Sequence, residues 1–230
     1  MTPQPRSAAT KAKILAAALD LFRERGYEAA TMRAIAERAG VSLGSAYYYF
    51  GSKEHLIQAF YDRTHVEHVA AVGTKLDALK DFKPRLLFVM RTKLEMIAPY
   101  HRFAGSLFRS ASDPASPLNP FSPESLPVRR EATAIFARVV EGVRSIPKDL
   151  REELPNLLWV YHMGIVLFWI HDKSEGQWRS WKLMERSVDL IAKVVAVASL
   201  SGLGPVRRSI LALLGELRSD EKHEAPKPAR

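Results

Sequence analysis

Residues 31–53 read TMRAIAERAGVSLGSAYYYFGSK, a pattern typical of two short helices joined by a tight turn. Thr31 is placed to cap a first helix, which ends at Gly40, a residue that tolerates a left-handed backbone. Ser42 is placed to cap a second helix that runs through Tyr49. The segment therefore predicts a helix-turn-helix unit.

The second of these helices is predicted to have an anchoring face and a free face. Ala46, Tyr49 and Phe50 follow i, i+3, i+4 spacing and can share the anchoring face. The free side is left to Leu43, Gly44, Ser45, Tyr47 and Tyr48. Consecutive tyrosines cannot all face a core, so we expect at least one phenol in solvent, where its hydroxyl can reach a phosphate. A helical hairpin without a partner would share the bare pattern.

The whole chain is predicted to be all-α. A first helix carries Ile14, Leu15 and Phe22 on one face and stops at Gly26, and a fourth begins near Lys53. Further helices are expected near residues 84–98, 100–109, 124–144, 150–171, 178–200 and 205–218, with an extended proline-rich loop over 110–127. The predicted segments are a flexible arm at 1–7, a helix-turn-helix head at 8–52, a larger helical domain at 53–218 and a disordered tail at 219–230.

Composition permits a nucleic-acid partner without identifying one. The 230 residues carry a formal net charge of +9, but residues 1–60 hold eight basic and five acidic side chains, a net +3. The excess charge is therefore not concentrated in the head, and any DNA-binding hypothesis must rest on the motif. The absence of cysteine excludes disulfides and thiolate metal sites. We expect a cytoplasmic protein with no cofactor, no metal and no membrane partner.

The run from Ile14 to Leu56 resembles the DNA-binding head of the TetR family of bacterial transcription regulators. The resemblance rests on residues 17–57, AALDLFRERGYEAATMRAIAERAGVSLGSAYYYFGSKEHLI. A glycine before an aromatic, the TxRxIA and AGVSxGSxYxYF stretches and the SKExL helix start occur in order. The resemblance implies a helical DNA-binding head followed by a larger helical body.

The resemblance also implies roles for individual head residues on double-stranded operator DNA. It places Thr31, Met32 and Arg33 near the DNA backbone and a groove edge, where Arg33 can read a guanine. It assigns phosphate contacts to Ser45, Tyr47, Tyr49 and Lys53, and base-facing positions to Leu43, Gly44 and Tyr48. The sequence departs from many relatives at Leu43, where a polar side chain is common, and at Ala46, which is often larger.

For the body, the resemblance implies a homodimer and a small, largely apolar effector. The candidate effector contacts are Phe88, Met96, Phe103, Phe108, Phe136, Trp159, His162 and Met163, each of which could equally be ordinary core. The helix at 150–171 is apolar on nearly every side, which favours cover by a partner subunit; burial within a monomer is the alternative. His65 and His68, at i and i+3, could in principle hold a metal, but a solvated helical face is favoured.

These features predict a transcription regulator that acts as a repressor and loses affinity for its operator when a ligand binds. The ligand would act by a population shift that re-angles the heads. The alternatives are a helical ligand-binding or interaction protein without specific DNA binding, and an enzyme. The sequence contains no nucleophile elbow, phosphate loop or recognised metal-ligand spacing, so an enzyme is disfavoured.

Overall fold

The described part of the protein is built from helices and turns, with no strand among the residues that can be placed. The structure is a computed structural model that describes residues 5–113, 116, 119–122, 125–200, 202, 204, 205, 207–209 and 212. The expected tail at 219–230, most of the expected helix at 205–218 and residues 1–4 of the expected arm lie outside these ranges. The all-α prediction is confirmed.

Ten α-helices are described, in chain order. They are α1 Pro5–Arg25, α2 Met32–Ala39, α3 Leu43–Tyr49, α4 Lys53–Val72, α5 Lys75–Ala78, α6 Phe82–Ile97, α7 His101–Ser112, α8 Leu126–Glu141, α9 Lys148–His171 and α10 Trp178–Ala198. Short 3-10 turns at Ala98–Tyr100 and Glu175–Gln177 precede α7 and α10.

Local chemistry sets the bounds of α2 and α3 as expected. The Thr31 side chain accepts a hydrogen bond from the Ala34 N–H at 3.2 Å, and Ser42 accepts from the Ser45 N–H at 3.1 Å. Between the two helices Gly40 takes φ 66° and ψ 37°, the left-handed conformation that favours glycine. The predicted helix-turn-helix is therefore present.

Three helix boundaries differ from the sequence-based expectation, and the starts of α1 and α8 do so because proline is tolerated in the first turn of a helix. Helix α1 begins at Pro5, so residues 5–7 are helical rather than part of an arm. Pro127 occupies the first turn of α8, and α7 continues to Ser112. The segment between these helices is therefore shorter than the expected loop at 110–127.

The head core is formed mainly by α1, α2, α3 and the first turns of α4. Ile14, Phe22, Ile35 and Leu56 are all 1% exposed or less. The same core also includes Phe103 from α7, which lies far along the chain. The head is therefore joined to the rest of the protein by packing as well as by chain connectivity.

A second core, in the body, lies between α6, α8, α9 and α10. Its centre includes Leu86, Val139, Trp169 and Met184, each at most 1% exposed. Arg85 is a charged side chain that is also buried in the body, at 3% exposed. Its guanidinium donates hydrogen bonds to main-chain oxygens of Leu76, Leu79, Arg138 and Val139. The charge is thus compensated by carbonyls at the ends of α5 and α8.

Within the described residues, helix α9 is long and apolar enough to cross a membrane by length and composition alone. Core helices of globular proteins meet the same criterion. In α9, Leu154, Leu158, Ile165 and Trp169 are buried against neighbouring helices. The apolar composition of α9 is therefore not enough for a membrane span.

Candidate functional site

Helix α3 presents one face to solvent and is anchored by the other. Ala46 and Phe50 are 0% and 2% exposed, whereas Tyr48 is 82% and Tyr47 49% exposed. Gly44 lies on the open side, where a Cβ would meet no atom within 4 Å. The expectation that at least one of the consecutive tyrosines lies in solvent is therefore confirmed, because both Tyr47 and Tyr48 are exposed.

Several side chains predicted to contact DNA are buried or half-buried. Leu43 is half-buried against the head core, because it shares a stripe with Ala46 and Phe50 at i, i+3 and i+7. Met32 is 7% exposed and packs with the core. Tyr49 is also half-buried. Of the residues expected to face bases, Gly44 and Tyr48 are the exposed ones.

A surface depression lies where the starts of α2 and α4 meet α3. Its wall includes Thr31, Tyr47, Ser52 and Lys53. The Lys53 ammonium donates to the Tyr27 carbonyl at 3.0 Å and lies 4.3 Å from the centre of that ring. An ammonium has three donors, so this anchored group keeps two for another acceptor. The depression therefore combines hydroxyl groups and a fixed cation, which are groups that bind phosphates, and it is also lined by the carboxylate of Glu54.

Further cations flank this surface of the head. Arg33 is exposed on the first turn of α2, as expected, and the exposed Lys11 on α1 lies 5.6 Å from the ring centre of Phe50 at the end of α3. Ser45 is half-buried at the start of α3. Among the predicted contacts, Thr31, Tyr47 and Lys53 therefore line one depression, and Arg33 lies in the first turn of the helix that Thr31 caps.

The body contains a cavity of about 240 Å³ between α4, α6, α7, α8 and α9. Five predicted effector contacts line it: Phe108, Phe136, Trp159, His162 and Met163. Phe88, Met96 and Phe103 do not. Phe88 packs on the body core, and Phe103 points into the head core from the opposite side of α7. The aromatic or apolar character of a residue could not show whether it lines the cavity or packs in the core, because both environments are apolar.

Polar side chains that sequence reasoning did not assign to the cavity gather on α4 and α6. Lys93 of α6 donates to the Thr64 hydroxyl at 3.2 Å, and burial lowers the pKa of this lysine to about 8. His68 is 4% exposed and its Nε2 lies 2.9 Å from the Val89 carbonyl oxygen. Burial lowers the pKa of His68 to about 4. The expectation of a solvated histidine face on α4 is therefore wrong for His68.

Two more histidines complete this wall. His65 Nε2 lies 3.3 Å from a Glu131 carboxylate oxygen, and burial lowers the pKa of His65 despite that carboxylate. His162 is 7% exposed, and its Nδ1 has no hydrogen-bond partner among the residues the structure describes. Burial lowers its pKa to about 3. The described residues contain no group of three or more candidate metal ligands.

Helices α4 and α7 belong to both the head core and the cavity wall. Phe60 of α4 is part of the head core and also lines the cavity. On α7, Phe103 stacks edge-on against Phe22 of the head with ring centres 5.7 Å apart. Phe108, on the same helix, lines the cavity. Whatever occupies the cavity is thus in contact with helices that position the head.

An apolar stripe runs along the outer faces of α9 and α10, which are joined by a 2.6 Å hydrogen bond between Tyr161 and Ser187. The exposed apolar side chains of the stripe are Leu157, Val160, Leu167 and Phe168 on α9, and Leu183, Leu190, Val194 and Val197 on α10. On α10 they recur at spacings of seven, four and three residues, and on α9 Leu157, Val160 and Leu167 recur at three and seven with Phe168 beside them, so each helix has an apolar face. Exposed apolar faces of this extent mark protein interaction surfaces.

A helix-turn-helix with an exposed second helix, mounted on a helical body with a cavity, defines a ligand-responsive DNA-binding regulator. Family comparisons agree with this class. Residues 14–60 match the model of bacterial regulatory proteins of the tetR family, and residues 85–208 match the tetracyclin repressor-like C-terminal domain. The chain belongs to the TetR family of transcription regulators, which are not enzymes.

Individual relatives extend over most of the chain. A probable HTH-type transcriptional regulator, ArpR of Pseudomonas putida, is 27% identical over 191 residues, covering 80% of this chain and 86% of that protein. A TetR regulator from Nitrosomonas europaea has a TM-score of 0.59 at 18% identity, covering 78% of this chain and 96% of its own. FadR of Bacillus subtilis, solved with stearoyl-CoA, has a TM-score of 0.56 at 17% identity, covering 83% and 98%. The two structures show the shared fold.

Proposed function

We propose that this protein is a dimeric repressor that leaves its operator when a small molecule fills the body cavity. One observation supports this proposal above the others: α4 and α7 each contribute to the head core and to the cavity wall. A ligand that favours one arrangement of these helices also favours one orientation of the head. Only a difference in affinity for the two arrangements can shift their populations.

In this proposal the head binds DNA through the free face of α3. Tyr48 and Gly44 approach bases in the major groove, and Arg33 reads a guanine from the start of α2. Tyr47, Thr31 and Lys53 hold a phosphate in the depression beside them. Leu43 and Met32 contribute indirectly, by packing in the head core that holds α2 and α3 in position. This role is consistent with the burial of Met32 and the half-burial of Leu43.

The dimer in this proposal forms through the apolar stripe on α9 and α10. Two copies related by a twofold axis would pack this stripe against itself, as an isologous interface requires. Leu190 and Val194 are 61% and 58% exposed in the single chain, near the centre of the α10 face. A twofold dimer also presents two α3 helices together, which binding to symmetric half-sites requires.

Two head variants separate base reading from phosphate binding. Arg33→Ala is expected to weaken operator binding about 10- to 100-fold and to relax the preference at one base pair. Tyr47→Phe removes only a hydroxyl and is expected to cost about 1 kcal/mol on every DNA sequence. The measurement is a mobility-shift titration with the DNA flanking the protein's own gene, and with unrelated DNA, at two salt concentrations.

Arg144→Ala is the matched control, because Arg144 is exposed in the body. It should bind as the wild type does. Wild-type binding should fall steeply with salt, because phosphate contacts release counterions. Unchanged affinity in both head variants would refute the proposed contacts, and salt-insensitive or absent DNA binding would favour a ligand-binding protein without an operator.

A further inference from the structure

The cavity has one polar region, which contains the cation Lys93, in an otherwise mostly apolar wall. Its described lining contains Lys93, Arg129, His65, His68 and His162, and no aspartate or glutamate. Most of the remaining wall is aliphatic or aromatic, with Trp159 and Trp169 among its residues. A wall of this kind complements a ligand with an apolar body and one anionic group.

Two groups in this polar region lack either a charged partner or any hydrogen bond among the described residues. Among the described residues, the Lys93 ammonium has a neutral partner, the Thr64 hydroxyl, and no ion pair. His162 Nδ1 is buried without any hydrogen bond to described residues. Buried polar groups are almost always satisfied, and an unsatisfied one costs about 1–3 kcal/mol. Both residues line the same cavity, and Lys93 is close enough to His162 to add to the effect of burial in lowering the pKa of this histidine.

We infer that the effector is a monocarboxylate with an apolar body, whose carboxylate lies between Lys93 and His162. This inference rests on the proposed function, because it names the ligand class of the same cavity. A carboxylate accepts a charge-assisted bond from the lysine and a second bond from an imidazole N–H. The cavity, at about 240 Å³, is below the ~300–1,000 Å³ of drug-sized sites, so the ligand is small to medium in size.

The charges around Lys93 come from every element packed against it. Helix α4 contributes His65, His68 and Glu67, α8 contributes Arg129 and Glu131, and α9 contributes His162. Glu67 raises the pKa of Lys93, but burial outweighs it. Neither Glu67 nor Glu131 forms an ion pair with Lys93 among the described contacts, so the ammonium is available to a ligand. A ligand carboxylate would supply this charge partner.

Three probes of similar size and one much larger probe test the class of ligand. Decanoate supplies the carboxylate on an alkyl chain, 4-phenylbutyrate supplies it on an aryl body, 1-decanol lacks the charge, and decanoyl-CoA replaces the carboxylate with a bulky thioester. Binding to the purified full-length protein is followed by calorimetry and by quenching of Trp159 and Trp169. We expect saturable binding of one or both carboxylates, one per chain, at least about 10-fold tighter than decanol.

Variants of Lys93 test whether the ligand carboxylate binds at this residue. Lys93→Met is expected to weaken carboxylate binding about 10- to 100-fold and to leave decanol binding unchanged. Lys93→Arg keeps the charge and should stay within a few-fold of the wild type. Lys75→Met, an exposed lysine of α5 outside the cavity, is the control and should change neither. The melting temperature of Lys93→Met should not fall, because the variant removes a poorly compensated buried charge.

The pH dependence of binding gives a second readout. With a pKa of about 8, Lys93 is protonated at pH 7 and loses its proton as the pH rises. Carboxylate affinity should therefore be constant from pH 6.5 to 7.5 and should fall above about pH 8, with proton uptake on binding. The pKa values of His68 and His162, about 4 and 3, keep both neutral throughout. Lys93→Arg should abolish the decline.

Several outcomes would overturn the inference. Lys93 would not bind the ligand carboxylate if decanol and decanoate had equal affinity. The same conclusion would follow if Lys93→Met bound carboxylates unchanged, or if the pH profile were flat. Tight binding of decanoyl-CoA without the free acid would replace the ligand class by a thioester. Because these assays contain no DNA, operator binding that persists while all carboxylates fail would refute this inference and leave the repressor proposal standing.

Discussion

Replacing Leu190 and Val194 together with glutamate is expected to convert the dimer into a monomer and to weaken operator binding about 100-fold or more. These side chains are 61% and 58% exposed in the single chain, so the substitution should not disturb its core. In the proposed twofold interface each glutamate is buried against an apolar face and repels its symmetry mate. The heads then bind half-sites singly and lose the gain from linked binding.

The oligomeric state is measured by size-exclusion chromatography with light scattering, and operator affinity by fluorescence anisotropy. Ala70→Glu combined with Ala71→Glu adds the same charge at exposed positions of α4, outside the stripe, and should remain dimeric. A wild-type protein that is monomeric at micromolar concentration, or a Leu190/Val194 variant that stays dimeric, would contradict the proposed interface.

Arg85→Ala is expected to lower the free energy of unfolding by about 3–5 kcal/mol. The guanidinium is buried and supplies donors to four carbonyls at the ends of α5 and α8. Alanine leaves these oxygens without their partner and opens a cavity in their place. Urea denaturation at fixed protein concentration measures the loss, since the stability of a dimer depends on concentration.

Gly142 provides a matched test of the same cluster. A Cβ at this position would overlap the Arg85 guanidinium, whereas the backbone, at φ −68°, accepts any residue. Gly142→Ala should therefore cost about 1–3 kcal/mol in the wild type and almost nothing in Arg85→Ala, where the overlap is removed. Additive losses in the double variant would show that Arg85 does not fill this space.

The head could be predicted from sequence because its signals are local. Thr31, Gly40 and Ser42 determine helix starts and a turn within a few residues of themselves, and the structure confirms all three. The choice of the anchoring face was less certain on so short a helix. Leu43 and Tyr49 both lie at its edges, and tertiary packing, which periodicity does not reveal, half-buries both.

The cavity was only partly predictable because its walls come from distant parts of the chain. In the sequence, Lys93 on α6 resembles an ordinary charged surface residue. Only the packing of α4 and α9 around it places it in the cavity wall. The i, i+3 spacing of His65 and His68 was a usable signal, but it suggested a metal or a solvated face. Phe103 was misplaced because nothing local indicates that α7 packs against the head.

Hydroxyl-radical footprinting of the DNA flanking the protein's own gene tests the central claim most directly. A dimer that inserts one α3 helix into each of two major grooves should protect two symmetric patches on one face of the duplex. Their centres should lie about one helical turn, ~34–36 Å, or a multiple of it apart. A single asymmetric patch, or no protection at concentrations where the protein is folded and dimeric, would contradict the account.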